Sequence, residues 1–172
     1  MKTYICQICG DAYVGHEKPS DCPFCGAPSN FIKDGKDANP IVNQEIEISE
    51  CSGRNLEETL ALELKANAIY LCMADKAKSY ELKAMYKRLA KVELEHAVIC
   101  TKLMGIAMPK VEDRTCSEND IENFKKTVEL EEHATEIYAR FAKEATETNI
   151  RIFFTALTQV EADHIELIKN YL

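Results

Sequence analysis

The chain has no tryptophan, only six glycines and five prolines, and no apolar run long enough to cross a bilayer. It has no G-x-G-x-x-G stretch, so no dinucleotide-binding fingerprint is present. Cations are outnumbered: 21 Lys and Arg face 29 Asp and Glu, a formal charge of −8. That balance argues against nucleic acid and against an anionic membrane surface as partners. The opening MKTYICQICG lacks the apolar stretch of a secretory signal. These absences lead to the expectation of a cytoplasmic protein. In that compartment eight cysteines are expected as metal ligands or reduced thiols rather than disulfides, with Cys72 and Cys100 as ordinary buried thiols.

What is present is unevenly spread. Cys6, Cys9, Cys22 and Cys25 crowd the start, while Cys51, Cys72, Cys100 and Cys116 stand singly. Beyond residue 54 only Gly105 and Pro109 represent their types. The chain therefore divides into a loop-rich module over 1–36, a connector over 37–54 and a helical domain over 55–172. The connector contains IVNQEIEI, which reads as a short extended stretch. In the module, two C-x-x-C pairs, each followed by glycine, form turns that aim backbone N–H groups at the sulfurs. Four thiolates so spaced make a tetrahedral site for iron or zinc.

The remainder reads as four amphipathic helices, over about 56–78, 81–104, 118–145 and 149–171, with starts at Asn55/Glu58 and Ser117/Asp120 and one long connection over 105–117. Its two halves repeat a pattern. Glu63 lies 30 residues before Glu93, and His96 follows three later; Glu131 lies 30 residues before Glu161, and His164 follows three later. The segments ELKANAIY and EEHATEIY share E-x-x-A-x-x-I-Y. The midpoint of each 30-residue interval falls at an expected turn, at 78 and 146, so each hairpin brings Glu, Glu and His to one height. Phase agrees, since Leu56, Leu60, Glu63 and Tyr70 form one stripe and Phe124, Val128, Glu131 and Tyr138 another. Four buried carboxylates need cancelling charge, and two divalent ions supply it where no inward lysine or arginine does. The expected architecture is mainly α: a ferritin-like four-helix bundle carrying a small N-terminal metal module.

The residues around the cysteines, with Tyr4, Tyr13, Phe24 and Phe31 beside the two pairs, resemble rubredoxin, although tryptophan is missing and the loop between the pairs is short. That resemblance implies a mononuclear Fe(Cys)4 centre carrying one electron. Joined to the duplicated Glu…Glu-x-x-His bundle, it makes the whole chain resemble rubrerythrin. The module-first order is similar to the reverse rubrerythrins of anaerobes. The resemblance implies a non-haem di-iron centre on Glu63, Glu93, His96, Glu131, Glu161 and His164. It implies reduction of hydrogen peroxide, or of O2 with the same parts, in oxidative-stress defence. Electrons would come through the Fe(Cys)4 centre from an external NAD(P)H-dependent reductase. It also implies a homodimer in which the module of one chain docks on the bundle of the other. By the same resemblance Tyr70 and Tyr138 hydrogen-bond ligand carboxylates, whereas the residues alone read as core aromatics. Rubrerythrins carry a further glutamate on the third helix. Glu129 and Glu132 have the E-x-x-E spacing but share a polar face; Glu132 joins the site only if the helix widens by a π-bulge. Iron storage leaves the cysteine module without a task, and a zinc ribbon on an inert bundle leaves the buried acids unexplained.

Overall fold

The computed structural model describes residues 1–172. The first residues pair as β1 (Lys2–Cys6) between β2 (Ala12–Gly15) and β3 (Ile32–Asp34), both antiparallel to it. Tyr4 stacks on Tyr13, and Tyr4, Cys6 and Ile32 are buried. No strand forms in the connector. Ile41–Asn43 is a single helical turn, and the backbone to Ser49 is without a partner strand. Val42, Ile46 and Ile48 instead lean as half-buried side chains on the apolar cluster below, which removes the need for strand pairing.

The four helices are α1 (Glu50–Lys76), α2 (Tyr80–Met104), α3 (Asp120–Glu144) and α4 (Thr148–Lys169). α1 begins about six residues before the expected start. Its cap is Ser49, whose hydroxyl accepts from the Ser52 N–H, while Asn55 is buried inside the helix and donates to Glu144 at 2.9 Å. α2 opens on Ser79 and closes on Gly105, which takes the left-handed conformation that suits glycine (φ 65°). Asn119, not Ser117, caps α3. The helices associate as two hairpins, α1 with α2 and α3 with α4, joined by the irregular crossover 105–119.

Cys72 and Cys116 are joined by a disulfide that ties the crossover to α1, and Lys76 Nζ donates to the Cys116 carbonyl at 3.0 Å. This corrects the expectation that Cys72 is a free thiol; Cys100 is buried and free as expected. The crossover passes over the half-buried side of α1 at residue 72, a proximity that sequence spacing does not encode. The apolar core lies in two clusters. One runs from the cysteine module through Leu56, Ile99, Phe141 and Phe153; the other gathers Tyr70, Met73, Tyr86, Phe124 and Ile168 at the far end. The buried acids and imidazoles occupy the level between them.

Candidate metal centres

In the module the four sulfurs of Cys6, Cys9, Cys22 and Cys25 lie within 4.8 Å of one another, all buried, with Cys6–Cys25 and Cys9–Cys22 each 3.7 Å apart. The two turns place Gly10 and Gly26 at φ 84° and 77°, and their N–H groups bond the Cys6 and Cys22 carbonyls at 3.0 Å. The Ile8 and Asp11 N–H groups point at the Cys6 and Cys9 sulfurs, at 3.4 and 3.5 Å. Sulfurs this close cannot all ionise unaided. The Cys22 thiol first, and Cys6 with it, hold Cys25 and Cys9 well above the usual thiol value. A cation among four thiolates resolves that conflict.

The second cluster lies mid-bundle, where all six predicted residues converge. Each helix supplies one glutamate; α2 and α4 each add the histidine one turn later. Two groups of four form, Glu63, Glu93, His96 and Glu161, and Glu93, Glu131, Glu161 and His164, each with its ligand atoms within 4.8 Å of one another. His96 Nδ1 is 3.4 Å from Glu63, 3.2 Å from Glu93 Oε2 and 3.4 Å from Glu161 Oε1. His164 Nδ1 is 3.4 Å from Glu93 Oε1, 3.5 Å from Glu131 and 2.9 Å from Glu161 Oε2. Glu93 and Glu161 thus turn one oxygen to each imidazole, the disposition of bridging carboxylates. Glu63 and Glu131 each face a single imidazole, one on each side. The tyrosines cross between hairpins: Tyr138 of α3 donates to Glu63 of α1 at 2.5 Å, and Tyr70 of α1 donates to Glu131 of α3.

The arrangement passes a test for two cations. Both oxygens of Glu93, both of Glu161 and the Nδ1 atoms of His96 and His164 are buried without a hydrogen-bond partner. Native interiors rarely leave such atoms orphaned, and here all aim at two shared points. Protons alone resolve the crowding poorly. Burial and the Glu161 charge push Glu93 well above the carboxylate range and Glu131 up to about 7. Burial opposes the charge on Glu161 too, but both imidazoles hold it near 2. Burial works against charged imidazoles as well, and the surrounding carboxylates still raise His96 and His164 well above their usual value. Four carboxylates and two imidazoles fit a pair of irons, as the four cysteines fit one.

Glu132 does not join them. α3 is regular from Asp120 to Glu144, with no widened turn, so Glu132 lies one position past Glu131 and is exposed. Glu129 is exposed as well and pairs with Lys126 at 3.1 Å. His16 and His133 are exposed.

One contact was not legible in the residues. His96 Nε2 donates to the Cys25 carbonyl at 2.8 Å, joining the two clusters by a single side chain. Gly26 makes the approach close enough, since a Cβ there would meet Val160 at 2.8 Å and Val92 at 3.7 Å. Arg88 Nη2 donates to the Phe24 carbonyl at 3.3 Å beside it. The glycine after the second C-x-x-C was the one signal, and it reads first as a turn residue. In this chain the module lies against the bundle of the same chain.

The model of the rubrerythrin family matches residues 54–172. Reverse rubrerythrin-1 of Clostridium acetobutylicum is 33% identical over 116 residues, which cover 61% of this chain. The chain spans 63% of that relative's length. On the matched helices, and with the paired Glu-x-x-His sets assembled on them, the chain belongs to the rubrerythrin family.

Proposed function

We propose that the protein is a di-iron oxidoreductase that reduces hydrogen peroxide to water. The balance is H2O2 + 2 H+ + 2 e− → 2 H2O. Electrons arrive singly through the four-cysteine centre from an external NAD(P)H-dependent reductase. The observation that carries this reading is the hydrogen bond from His96 Nε2 to the Cys25 carbonyl. It links a one-electron module to a two-metal site, a link that iron storage has no use for. A pair of ferrous ions, when bound, supplies both electrons for cleaving one O–O bond.

The chain's own residues provide the setting. Glu63, Glu131, His96 and His164 would be terminal ligands and Glu93 and Glu161 the bridges. The Tyr138 hydroxyl fixes Glu63 through Oε1 and leaves Oε2, the oxygen facing His96, for metal; the Tyr70 hydroxyl fixes Glu131 through Oε1, the oxygen that also faces His164. Because His96 gives its Nε2 proton to Cys25, its Nδ1 is the free lone pair facing the acids. The two apolar clusters above and below exclude bulk water. No helix is long and apolar enough to cross a membrane.

The test is anaerobic. Protein isolated with about three irons per chain is reduced and mixed with one equivalent of peroxide. Oxidation of the di-iron site without O2 release, followed by bleaching and recovery of the red ferric tetrathiolate under turnover, is the expected result. Reaction with O2 but not with peroxide would move the assignment to oxygen reduction. One zinc and no iron would overturn it.

A further inference from the structure

The two halves of the six-residue cluster differ in what lies outside them. Glu63, Glu93, His96, Glu131 and Glu161 are each at most 3% exposed, whereas His164 is 8% exposed. His96 is capped by the module through Cys25, a contact that His164 does not share. His164 lies instead on the wall of a cleft of about 720 Å³ between the module, the middle of α2 and the C-terminal half of α4. Asp21 and Pro23 form its module side, and Arg88, Asp163, Glu166 and Leu167 its bundle side. The cleft ends where Gly26 presses on Val160 and Val92, the residues before the bridging Glu161 and Glu93.

We propose that this cleft is the route by which substrate reaches the site, and that it serves the half built on His164. This rests on the oxidoreductase reading above and deepens it. The two halves then divide the work: the His96 half receives electrons from the module, and the His164 half meets the substrate. Neither path obstructs the other, because the module covers one imidazole and stops short of the second. The rim sets the substrate class. Three carboxylates, Asp21, Asp163 and Glu166, face one cation, Arg88, so the mouth is net acidic and disfavours anions. Small neutral molecules, hydrogen peroxide and dioxygen among them, pass; anions are retarded.

Nitric oxide, small and neutral, probes the route independently of turnover. It binds the reduced site whether or not peroxide is the substrate. Leu167→Trp, and separately Asn170→Trp, place bulk in the cleft from exposed positions on or beside α4. Ile106→Trp, exposed on the crossover, is the control. The second-order rate constant for nitric oxide binding to the reduced protein should fall roughly tenfold in a cleft variant and stay unchanged in the control. The rate of peroxide reaction with pre-reduced protein should fall by the same factor. Asp163→Asn should speed the binding of azide, an anion, to the oxidised site and leave nitric oxide unaffected. If neither tryptophan slows nitric oxide while both variants keep their iron and helical spectrum, the cleft is not the route. If nitric oxide is slowed but wild-type protein ignores peroxide, the route stands and the peroxidase reading falls.

Discussion

Each imidazole of the bundle has two faces with different partners. His96 Nδ1 points at three carboxylates while its Nε2 is spent on Cys25; His164 Nδ1 repeats the first role without the second. Truncating either one removes the only nitrogen from one group of four and leaves buried acids without their balance. His96→Ala or His164→Ala should therefore lose one iron per chain, or peroxide turnover, while helical circular dichroism persists. Buried charge networks broken on one side cost about 3 to 5 kcal/mol in the metal-free protein. Metal analysis, circular dichroism and peroxide assay decide it; unchanged iron and turnover in both variants would refute the assignment. All six of these residues were legible beforehand, since a 30-residue interval symmetric about a turn needs no knowledge of packing. Glu131 was separable from Glu132 by phase alone, and the regular α3 shows why: without an extra residue in the turn, only one of two adjacent acids can face inward.

Among the elements, boundaries were harder to read than faces. Asn55 with Glu58 has the pattern of a helix start, yet the start is Ser49, because a residue far along the chain supports it. Glu147, preceding α4, accepts from the Ser49 N–H at 2.5 Å and from the Ser52 hydroxyl at 2.6 Å. That carboxylate binds the beginnings of α1 and α4 together, and no local window contains it. Burial favours its neutral form, but the hydrogen bonds from Ser52 and Ser49 together outweigh this and bring Glu147 to about 2. Its folded value lies below its unfolded one, so its stabilisation is present above about pH 4.5 and is lost as pH falls toward 2. Glu147 is partly open to solvent, so about 1 kcal/mol is a fair discounted figure for its two charge-assisted bonds. Glu147→Gln should unfold more easily than the parent by about that amount at pH 7. The difference, read from urea melts, should shrink as pH drops below 4.5 and vanish near 2; a constant gap would rule out the charge as its source. The crossover is the other element that spacing could not place. Its disulfide closes a loop with a sequence separation of 44. Chain-entropy arguments give such a link about 4 kcal/mol. Selective reduction with a mild thiol, or Cys72→Ser, should lower the unfolding midpoint by several degrees and leave the iron content intact. An unmoved midpoint would mean the link constrains nothing.

Over the whole molecule, the seating of the module on the helices would set how the two centres communicate on the proposed electron path. Gly26 is the point of contact, at positive φ and with no room for a side chain. Gly26→Ala should cost about 1 to 2 kcal/mol from the backbone alone, and its methyl group should lift Cys25 away from His96. Electron transfer from the reduced four-cysteine centre to an oxidised bundle site, followed by stopped-flow absorbance, should slow markedly. Peroxide reaction with a fully reduced bundle should keep its rate. Slowing of both reactions, or of neither, would contradict the assigned path.

The crossed tyrosines bear on how the chain folds. Tyr70 and Glu131 sit on different hairpins, and so do Tyr138 and Glu63. Neither hairpin closed on itself could satisfy its own terminal acid, and each would expose half of a layer of buried charge. The repeated sequence therefore does not yield two autonomous folding units. Subglobal opening that releases one hairpin must strip the partner hairpin of its hydroxyl at the same moment. Internal duplication here has produced a single cooperative unit, in which each half serves as the template that completes the other.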